Sequence, residues 1–348
     1  PVAVAGFEQP SLLLHADSPC LPENNQWGLL LGAHDQGCAA VTKWYVDNAD
    51  TTGFEDGSAS YPFDSIRLGV SHATSGDTVL VAPGVYSGPA NRDIDFAGIG
   101  FLLTSEAGAD STIIDCGGDL DPEHRGFHFH SGEDTSAVVS GFTVRNTFLA
   151  TPGGGVLCEA SSPKLVDMII SNNHSFGGGG MRCVNGSSPV LVNVGLAGNG
   201  GLASPGGGMY VSQSSPILRG VVFDSNSSFG AMTCSSSDVV LRDVVFTGND
   251  SNVEPGGGLL LLSGSSAHIH GAQFISNSAA SGGGLALEGG STAILNDVLF
   301  DDGFVPYDGG AISCVDGCTL IMTSSQISNS TYAEYGGGIY CNGSTVQL

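Results

Sequence analysis

The chain has 348 residues, of which 41% are hydrophobic and 54 are glycine. Its 34 acidic and 9 basic residues give a formal charge of −25, which argues against binding to nucleic acid or to an anionic membrane surface. No apolar stretch reaches the roughly 18 residues of a membrane span, and the N-terminus lacks the features of a signal peptide. We expect a mature form, or a piece of a longer protein.

Residues 1–40 form a segment that lacks the repeat found further along the chain. Cys20 and Cys38 flank a loop there and could form a disulfide, which would suit an exported protein. A polar linker follows over residues 41–62. Its acidic side chains offer oxygen ligands within ten residues, so a calcium site is one hypothesis and a solvated acidic loop is the other; the residues concerned are Asp47, Asp50, Glu55 and Asp56.

Residues 63–75 carry a helical pattern. Ile66, Val70 and Ala73 fall on one face, and Asp64 or Ser65 is placed to cap the N-terminus of the helix. The first coil of a repeat protein needs a cover over its interior and its strand edge. We therefore predict that this helix caps the segment that follows it.

Residues 76–348 consist of short apolar runs bounded by Gly, Ser, Pro or Asn, which indicates strands rather than helices. From Gly153 onward a small-residue triplet recurs eight times, at intervals of 23 to 28 residues and about 26 on average. A fixed period of this length is typical of a solenoid. Three apolar runs in each period predict an all-β fold, a right-handed parallel β-helix with three-strand coils of about 26 residues, about ten in number.

The copies agree position by position, so like residues should stack into ladders along the solenoid. A cysteine ladder of small apolar residues would fill the interior at Cys158, Cys183, Cys234, Cys314 and Cys341. A phenylalanine ladder would join it at Phe223, Phe246 and Phe274. An asparagine ladder would bond along the stack at Asn173, Asn199, Asn226, Asn249, Asn277 and Asn329. Spacing leaves open whether Cys314 bridges to Cys318 or to Cys341, or Cys158 to Cys183.

Two sets of residues carry a family resemblance. The run Gly309–Ile312 and the Phe-x-x-Asn copies resemble the paired repeat motifs, GGA[ILV] and FxxN, of polymorphic outer-membrane proteins, whose passengers are β-helical autotransporter adhesins. Segments within residues 44–146, such as Pro83–Tyr86, resemble the opening of secreted proteins of the pectate-lyase-like superfamily. Residues 1–40 resemble the closing segment of a preceding β-helix unit. The resemblance implies the fold and leaves the activity open, since such proteins include lyases, glycosidases and adhesins.

Candidate catalytic groups are sparse. A lyase needs a basic side chain beside clustered acids, and Lys164, Arg145, Arg182 and Asp167 could line one such patch if their coils stack. Asp167, Asp243 and Asp297 recur at matching points of different copies, as a turn ladder of small polar residues would. Alternation predicts that His128 and His130 face solvent while Phe127 and Phe129 face the core. No catalytic residue and no cofactor, apart from calcium, is predicted.

The composition and the repeats favour a non-catalytic extracellular protein, structural or adhesive, that presents loops on a stiff solenoid. Copies would join end to end through the open C-terminal end and the segment 1–40 of a neighbour. Further domains of a longer chain, or cell-surface and matrix glycans, are the other predicted partners. The alternative is a carbohydrate-active enzyme or a glycan-binding β-helix. An exposed groove with acids, a base and an aromatic ring would favour that alternative.

Overall fold

The computed structural model describes residues 42–348 except for residues 52, 119–123, 203–204, 253, 302 and 331–333. The chain divides into two compact units, residues 1–43 and 44–348, and the second unit is the one described below. The predictions for residues 1–40, including the Cys20–Cys38 disulfide and the contact with a neighbouring copy, lie outside the described residues.

The described strands form three long parallel sheets and one short one. Sheet I has twelve strands: Lys43–Val46, Thr78–Val81, Leu102–Ser105, Val138–Ser140, Lys164–Val166, Val190–Val192, Ile217–Arg219, Asp238–Arg242, Ser266–His270, Thr292–Asn296, Thr319–Thr323 and Thr345–Gln347. Sheet II has nine: Phe127–Phe129, Val156–Glu159, Met181–Val184, Met209–Ser212, Met232–Ser235, Leu259–Leu262, Leu285–Leu287, Ile312–Val315 and Ile339–Asn342. Sheet III has ten: Gly84–Ser87, Thr112–Asp115, Thr143–Arg145, Ile169–Ser171, Gly195–Ala197, Val222–Asp224, Val245–Thr247, Gln273–Ile275, Leu299–Asp301 and Gln326–Ser328. Sheet IV has Phe148–Leu149, His174–Ser175 and Gly200–Gly201.

Each coil of the repeat region visits sheets II, I and III in that order, and strand pairing joins it to the coils on either side. Val156 pairs with Met181, Met181 with Met209 and Met209 with Met232. The small residues that precede these partners are therefore aligned from Gly155 onward, as the repeat predicts. Each coil contributes one strand to sheet III, so its ten strands indicate about ten coils. The prediction of a parallel β-solenoid with three-strand coils is confirmed.

The interior is filled by columns in which similar side chains from successive coils stack on one another. Phe223, Phe246, Phe274 and Phe300 are buried, and their ring centroids lie 4.8, 4.6 and 4.6 Å apart with the rings almost parallel. Cys158 lies directly beside Cys183 in the paired strands. Strand register sets this spacing, because neighbouring strands of a sheet lie about 4.8 Å apart.

The turn between sheets I and III repeats a left-handed backbone conformation. Its residues have φ between 51° and 68°, namely Asp167, Asn193, Gly220, Asp243, Gly271 and Asp297. Only glycine, and to a lesser extent asparagine and aspartate, adopts this conformation readily. The three aspartates are therefore turn residues, and Asn193 Nδ2 donates a hydrogen bond to Asp167 Oδ1 at 3.1 Å.

The α-helix Ile66–His72 lies at the start of the solenoid, within the predicted range. Ile66, Val70 and Ala73 are buried, as the helical pattern predicts. The cap differs from the prediction: Ser65 is the N-cap residue without a side-chain bond, and Asn91 Oδ1 accepts from Ile66 N–H at 2.8 Å. A distant residue thus replaces the local cap.

The predicted polar linker 41–62 also contains an element that the sequence pattern missed. The strand Lys43–Val46 pairs next to Thr78–Val81 as a member of sheet I. Val46 is buried, and it lies so close to the helix that a Cβ on Gly69 would stand 2.7 Å from Val46 Cγ2. The strand was missed because only Val46 of its four residues is fully buried, so no apolar alternation marks it.

Glu133 ties the turn before Val138–Ser140 to neighbouring coils. Its carboxylate accepts hydrogen bonds from Gly98 N–H at 2.9 Å and from Ser131 N–H at 3.0 Å, and the hydroxyl of Ser161 also donates to it. Burial raises the pKa of Glu133, but these hydrogen bonds together lower it below the ordinary value of 4.5. The native state therefore favours the ionised carboxylate.

A pH titration of unfolding tests this arrangement. Because the pKa of Glu133 is lower in the folded chain than in the unfolded chain, its stabilising effect is present above about pH 4.5 and is lost as the pH falls through the folded value. Glu133→Gln should lower the free energy of unfolding at pH 7 by about 1–3 kcal/mol. The loss of unfolding free energy caused by Glu133→Gln should become smaller below about pH 4.5, and urea unfolding at each pH measures it. A penalty that is constant with pH would contradict the assignment.

Candidate functional site

The outer face of sheet II carries the most concentrated set of charged side chains beside a groove. Phe127 and Phe129 point into the core, so His128 between them points outward, as the alternation predicts. Strand pairing then places His128, Leu157, Arg182 and Tyr210 in one row across four coils. The row therefore brings together residues that lie up to 82 positions apart in the chain.

A groove of about 450 Å³ opens on this row and is lined by three charged side chains, Arg125, Glu159 and Arg182, and by His128. Thr151 and Pro152, from the segment that precedes the glycine triplet, also line it. Two of the chain's nine basic residues thus flank one groove of a strongly acidic protein. We refer to it as the sheet II groove.

His128 and Glu159 form a polar pair inside the groove. His128 Nε2 lies 2.9 Å from Glu159 Oε2, and both side chains are partly exposed. The ring of His128 stacks on that of His130 with centroids 4.2 Å apart. His130 Nε2 lies 3.9 Å from Asp95 Oδ2. An imidazole held by a carboxylate can donate or accept a proton at an exposed position.

Arg182 is fixed by an aromatic ring. Its guanidinium carbon lies 4.7 Å from the centre of the Tyr210 ring, a cation–π geometry. Burial lowers the pKa of Arg182, whereas Tyr210 and Glu159 raise it. Because arginine keeps its proton at any physiological pH, the side chain presents a cation, oriented by Tyr210, to whatever enters the groove.

The predicted lyase patch is not assembled. Lys164 lies in sheet I, Arg145 in sheet III and Arg182 in sheet II, and Asp167 occupies the turn between sheets I and III. Arg145 Nε instead donates to Asp115 Oδ2 at 3.0 Å. The hypothesis required these residues to stack on one face, and they do not, because each coil turns between sheets and the residues face different directions.

The four candidate calcium ligands are not gathered into a site. Asp47 Oδ1 accepts from Ala49 N–H at 2.9 Å, Asp56 Oδ1 from Ser58 N–H at 2.8 Å, and Glu55 Oε2 from Asp64 N–H at 3.3 Å. Asp50 is part of the same acidic segment. Within the described part of the chain, no three or more His, Cys, Asp or Glu side chains are grouped so that they could hold a metal ion.

The asparagines form a continuous hydrogen-bonded ladder. From Asn173 through Asn199, Asn226 and Asn249 to Asn277, each Nδ2 donates to the Oδ1 of the next at 2.9–3.1 Å. Asn329 does not belong to it. Phe300 pairs with Ile327, so the ladder position is Ser330, and Asn329 donates instead to Asp301 Oδ1 at 2.7 Å. The prediction was one residue out of register, because each ladder asparagine lies three residues after its aligned Ile, Leu or Phe, whereas Asn329 lies only two after Ile327.

A second ladder, of buried serines, was only partly anticipated from the polar corners in the sequence. The backbone N–H of each donates to the hydroxyl of the next at 3.1–3.3 Å, along Ser161, Ser187, Ser214, Ser237 and Ser265. The sheet II groove was missed altogether. Its signal was present in the aligned copies, as charged residues at outward positions of consecutive coils, but Arg125 and His128 precede the regular repeats.

No helix among the described residues is long and apolar enough to cross a membrane. A comparison with curated proteins finds no match. Among solved structures, a pectate lyase shares 15% sequence identity with this chain at a TM-score of 0.58, over 86% of this chain and 79% of its own. An alginate lyase from Paenibacillus sp. str. FPU-7 shares 11% identity at a TM-score of 0.47, over 86% of this chain and 99% of its own. The pectate lyase shows a likeness of fold.

A protein-family model described as the right handed beta helix region matches residues 108–274 and 202–348. These matches cover the coils that carry most of the stacked core and the regular repeats. With the parallel pairing and the repeating register, they show that the chain belongs to the right-handed β-helix family.

Proposed function

We propose that this chain is an extracellular, non-catalytic β-helix that binds an acidic glycan in the sheet II groove. The observation that carries the proposal is the placement of Arg125 and Arg182 around one groove of a chain with a formal charge of −25. In this proposal the protein adheres to a surface by binding its glycans, so the adhesive role and the glycan-binding role are one.

The groove suits a carboxylate on a sugar. A guanidinium can donate two parallel hydrogen bonds to a carboxylate, and Tyr210 holds that of Arg182 in a fixed orientation. Glu159 and the hydroxyl of Ser212, which also line the groove, provide acceptors for sugar hydroxyls. A nucleic acid is a poorer fit than a short acidic oligosaccharide because duplex DNA carries one negative charge for about every 1.7 Å, which the acidic remainder of the chain repels.

The likeness of fold to a pectate lyase makes a polyuronate the first ligand to test. We expect Arg182→Gln to weaken the binding of oligogalacturonate by about 10- to 100-fold, since it removes a charge-assisted hydrogen bond worth roughly 1.5–3 kcal/mol. The binding of the wild-type chain should also weaken as the salt concentration rises. Isothermal titration calorimetry measures both effects.

Arg242→Gln provides the matched control. Arg242 lies exposed at the outer end of a sheet I strand, away from the groove, so its removal changes the net charge equally. The affinity of this variant should stay within about twofold of wild type, because only long-range electrostatics change. Equal losses in the two variants would show that overall charge governs the interaction and would refute the groove. If the wild-type chain does not bind oligogalacturonate at all, polyuronates are refuted as the ligand.

A polysaccharide lyase is the second candidate, favoured by the contact of 2.9 Å between His128 and Glu159. In that case an arginine would neutralise the sugar carboxylate, and His128 would take the adjacent carbon-bound proton as a general base. Incubation of the titrated mixtures would then generate an unsaturated sugar, detected by its ultraviolet absorbance. No absorbance change in mixtures that show binding supports the non-catalytic proposal.

Assembly end to end, the extracellular location and the resemblance to autotransporter adhesins remain predictions. The segment 1–40 that would meet a neighbour lies outside the described residues. Analytical ultracentrifugation of the whole folded chain, at several concentrations, would distinguish a monomer from an extended assembly.

A further inference from the structure

One cysteine at the ladder position is exposed in the described part of the chain. Cys158, Cys183, Cys234 and Cys314 are buried inside the solenoid, whereas Cys341, at the same position of a later coil, is the only exposed cysteine in the described part of the chain. Cys341 is also held in place, because its Sγ donates to Ser344 O at 3.3 Å. An oxidant in solution can therefore reach the ladder at Cys341 without unfolding the coils.

Cys314 and Cys341 are direct partners in the parallel pairing of Ile312–Val315 with Ile339–Asn342. Paired strands place such residues about 4.8 Å apart, and disulfides join cysteines whose Cα atoms are about 4.4–6.8 Å apart. Both side chains occupy the same column of the sheet, so they leave the backbone on the same side. Among the described strands of sheet II, Ile339–Asn342 lies at the edge, where small adjustments disturb one neighbour only.

A third thiol lies beside this pair. Cys318 takes the serine-ladder position in its coil, since its N–H donates to Ser344 Oγ at 3.0 Å, as the ladder serines do. Cys314 and Cys318 are both buried in the same core. Three cysteines therefore meet in these two coils, whereas each of the coils of Cys158, Cys183 and Cys234 contributes one.

We propose that Cys314 and Cys341 form an inter-coil disulfide by exchange with a small disulfide such as oxidised glutathione. Cys341, as its thiolate, attacks one sulfur of glutathione disulfide, and the first glutathione leaves as a thiol with the proton that Cys341 released. Cys314 then attacks the Cys341 sulfur of the mixed disulfide, and the second glutathione leaves in the same way. Two protein thiols are oxidised and one glutathione disulfide is reduced to two thiols.

The second step should limit the rate. Burial raises the pKa of Cys314 to about 11, with neighbouring Cys318 and Cys341 adding to the effect. Only the thiolate attacks, so at pH values below about 11 the rate of closure from the preformed Cys341–glutathione adduct should rise about tenfold for each unit of increase in pH. The glutathione released into solution in this second step measures the rate of closure.

The experiment oxidises the folded whole chain in a glutathione buffer, blocks free thiols with iodoacetamide and maps the peptides without reduction. Asp316 and Glu334 separate Cys314, Cys318 and Cys341, so cleavage at acidic residues distinguishes every pairing. We expect a peptide linked through Cys314 and Cys341, and a rise of a few degrees in the unfolding temperature that a reductant reverses.

Cys341→Ser and a buried pair supply the controls. In Cys341→Ser, which changes an exposed side chain, the linked peptide and the temperature shift should both disappear. Cys158 and Cys183 are paired in the same register but are wholly buried, so they should remain unlinked in the folded chain. A Cys314–Cys318 link, a stable glutathione adduct on Cys341, or equally rapid oxidation of Cys158 and Cys183 would each overturn the proposal.

Discussion

Replacing Asn199 with alanine is expected to lower the free energy of unfolding by about 3–5 kcal/mol. Its Oδ1 accepts from both the backbone N–H and the Nδ2 of Asn173, at 3.0 and 3.1 Å. Its Nδ2 donates to Ile170 O at 2.8 Å and to Asn226 Oδ1 at 3.0 Å. Alanine would leave these groups buried without partners in the middle of the ladder. Urea unfolding followed by circular dichroism measures the loss.

The control for this prediction is Asn296→Ala. Asn296 lies exposed at the end of a sheet I strand, so its removal should change the free energy of unfolding by no more than about 0.5 kcal/mol. If the two alanine variants lose the same stability, the ladder has no special role. A loss at Asn199 alone would establish that the hydrogen bonds between coils, more than asparagine content, hold this turn.

Phe246→Ala should cost a similar amount, about 3–5 kcal/mol, by opening a cavity in the stacked core. Phe246 lies fully buried between Phe223 and Phe274, with ring centroids 4.8 and 4.6 Å away. Within that total, the loss of ring stacking accounts for about 0.5–1.5 kcal/mol for each of the two ring pairs. Equilibrium unfolding in urea measures the change.

Two further variants separate the contributions to that loss. Phe246→Leu keeps most of the buried apolar surface and removes the ring, so its penalty should fall between those of wild type and alanine. Val222→Ala, at a partly exposed outer position of sheet III, should cost less than about 1 kcal/mol. A Phe246→Ala penalty as small as that of Val222→Ala would mean that the neighbouring rings close the gap.

The sheet II groove and the cysteine pair depend on the same feature of the fold. Both bring together residues from different coils, and strand register decides which ones meet. Thr151 and Pro152 line the groove from outside the strands, so a change in their segment can alter the wall of the groove without changing the strands beneath it. Binding chemistry can therefore vary on a constant core.

The sequence alone determined the solenoid, its period and most of its ladders. A residue repeated at about 26-residue intervals must stack on its copies, because any other register would place glycine, cysteine and asparagine columns against unlike neighbours. The local pattern also determined the helix face of Ile66, Val70 and Ala73. It failed at Asn329, which lies two residues after the core residue Ile327, whereas the ladder asparagines lie three residues after theirs.

Only the tertiary structure decided which side chains share a surface. Lys164, Arg145 and Arg182 lie within 37 positions of one another but point from three sheets, whereas His128 and Glu159, 31 positions apart, are in contact. The physical reason is that each coil changes direction twice between its three main strands. Distance in the sequence then reports the position along a coil, while neighbours in space come from the coils on either side.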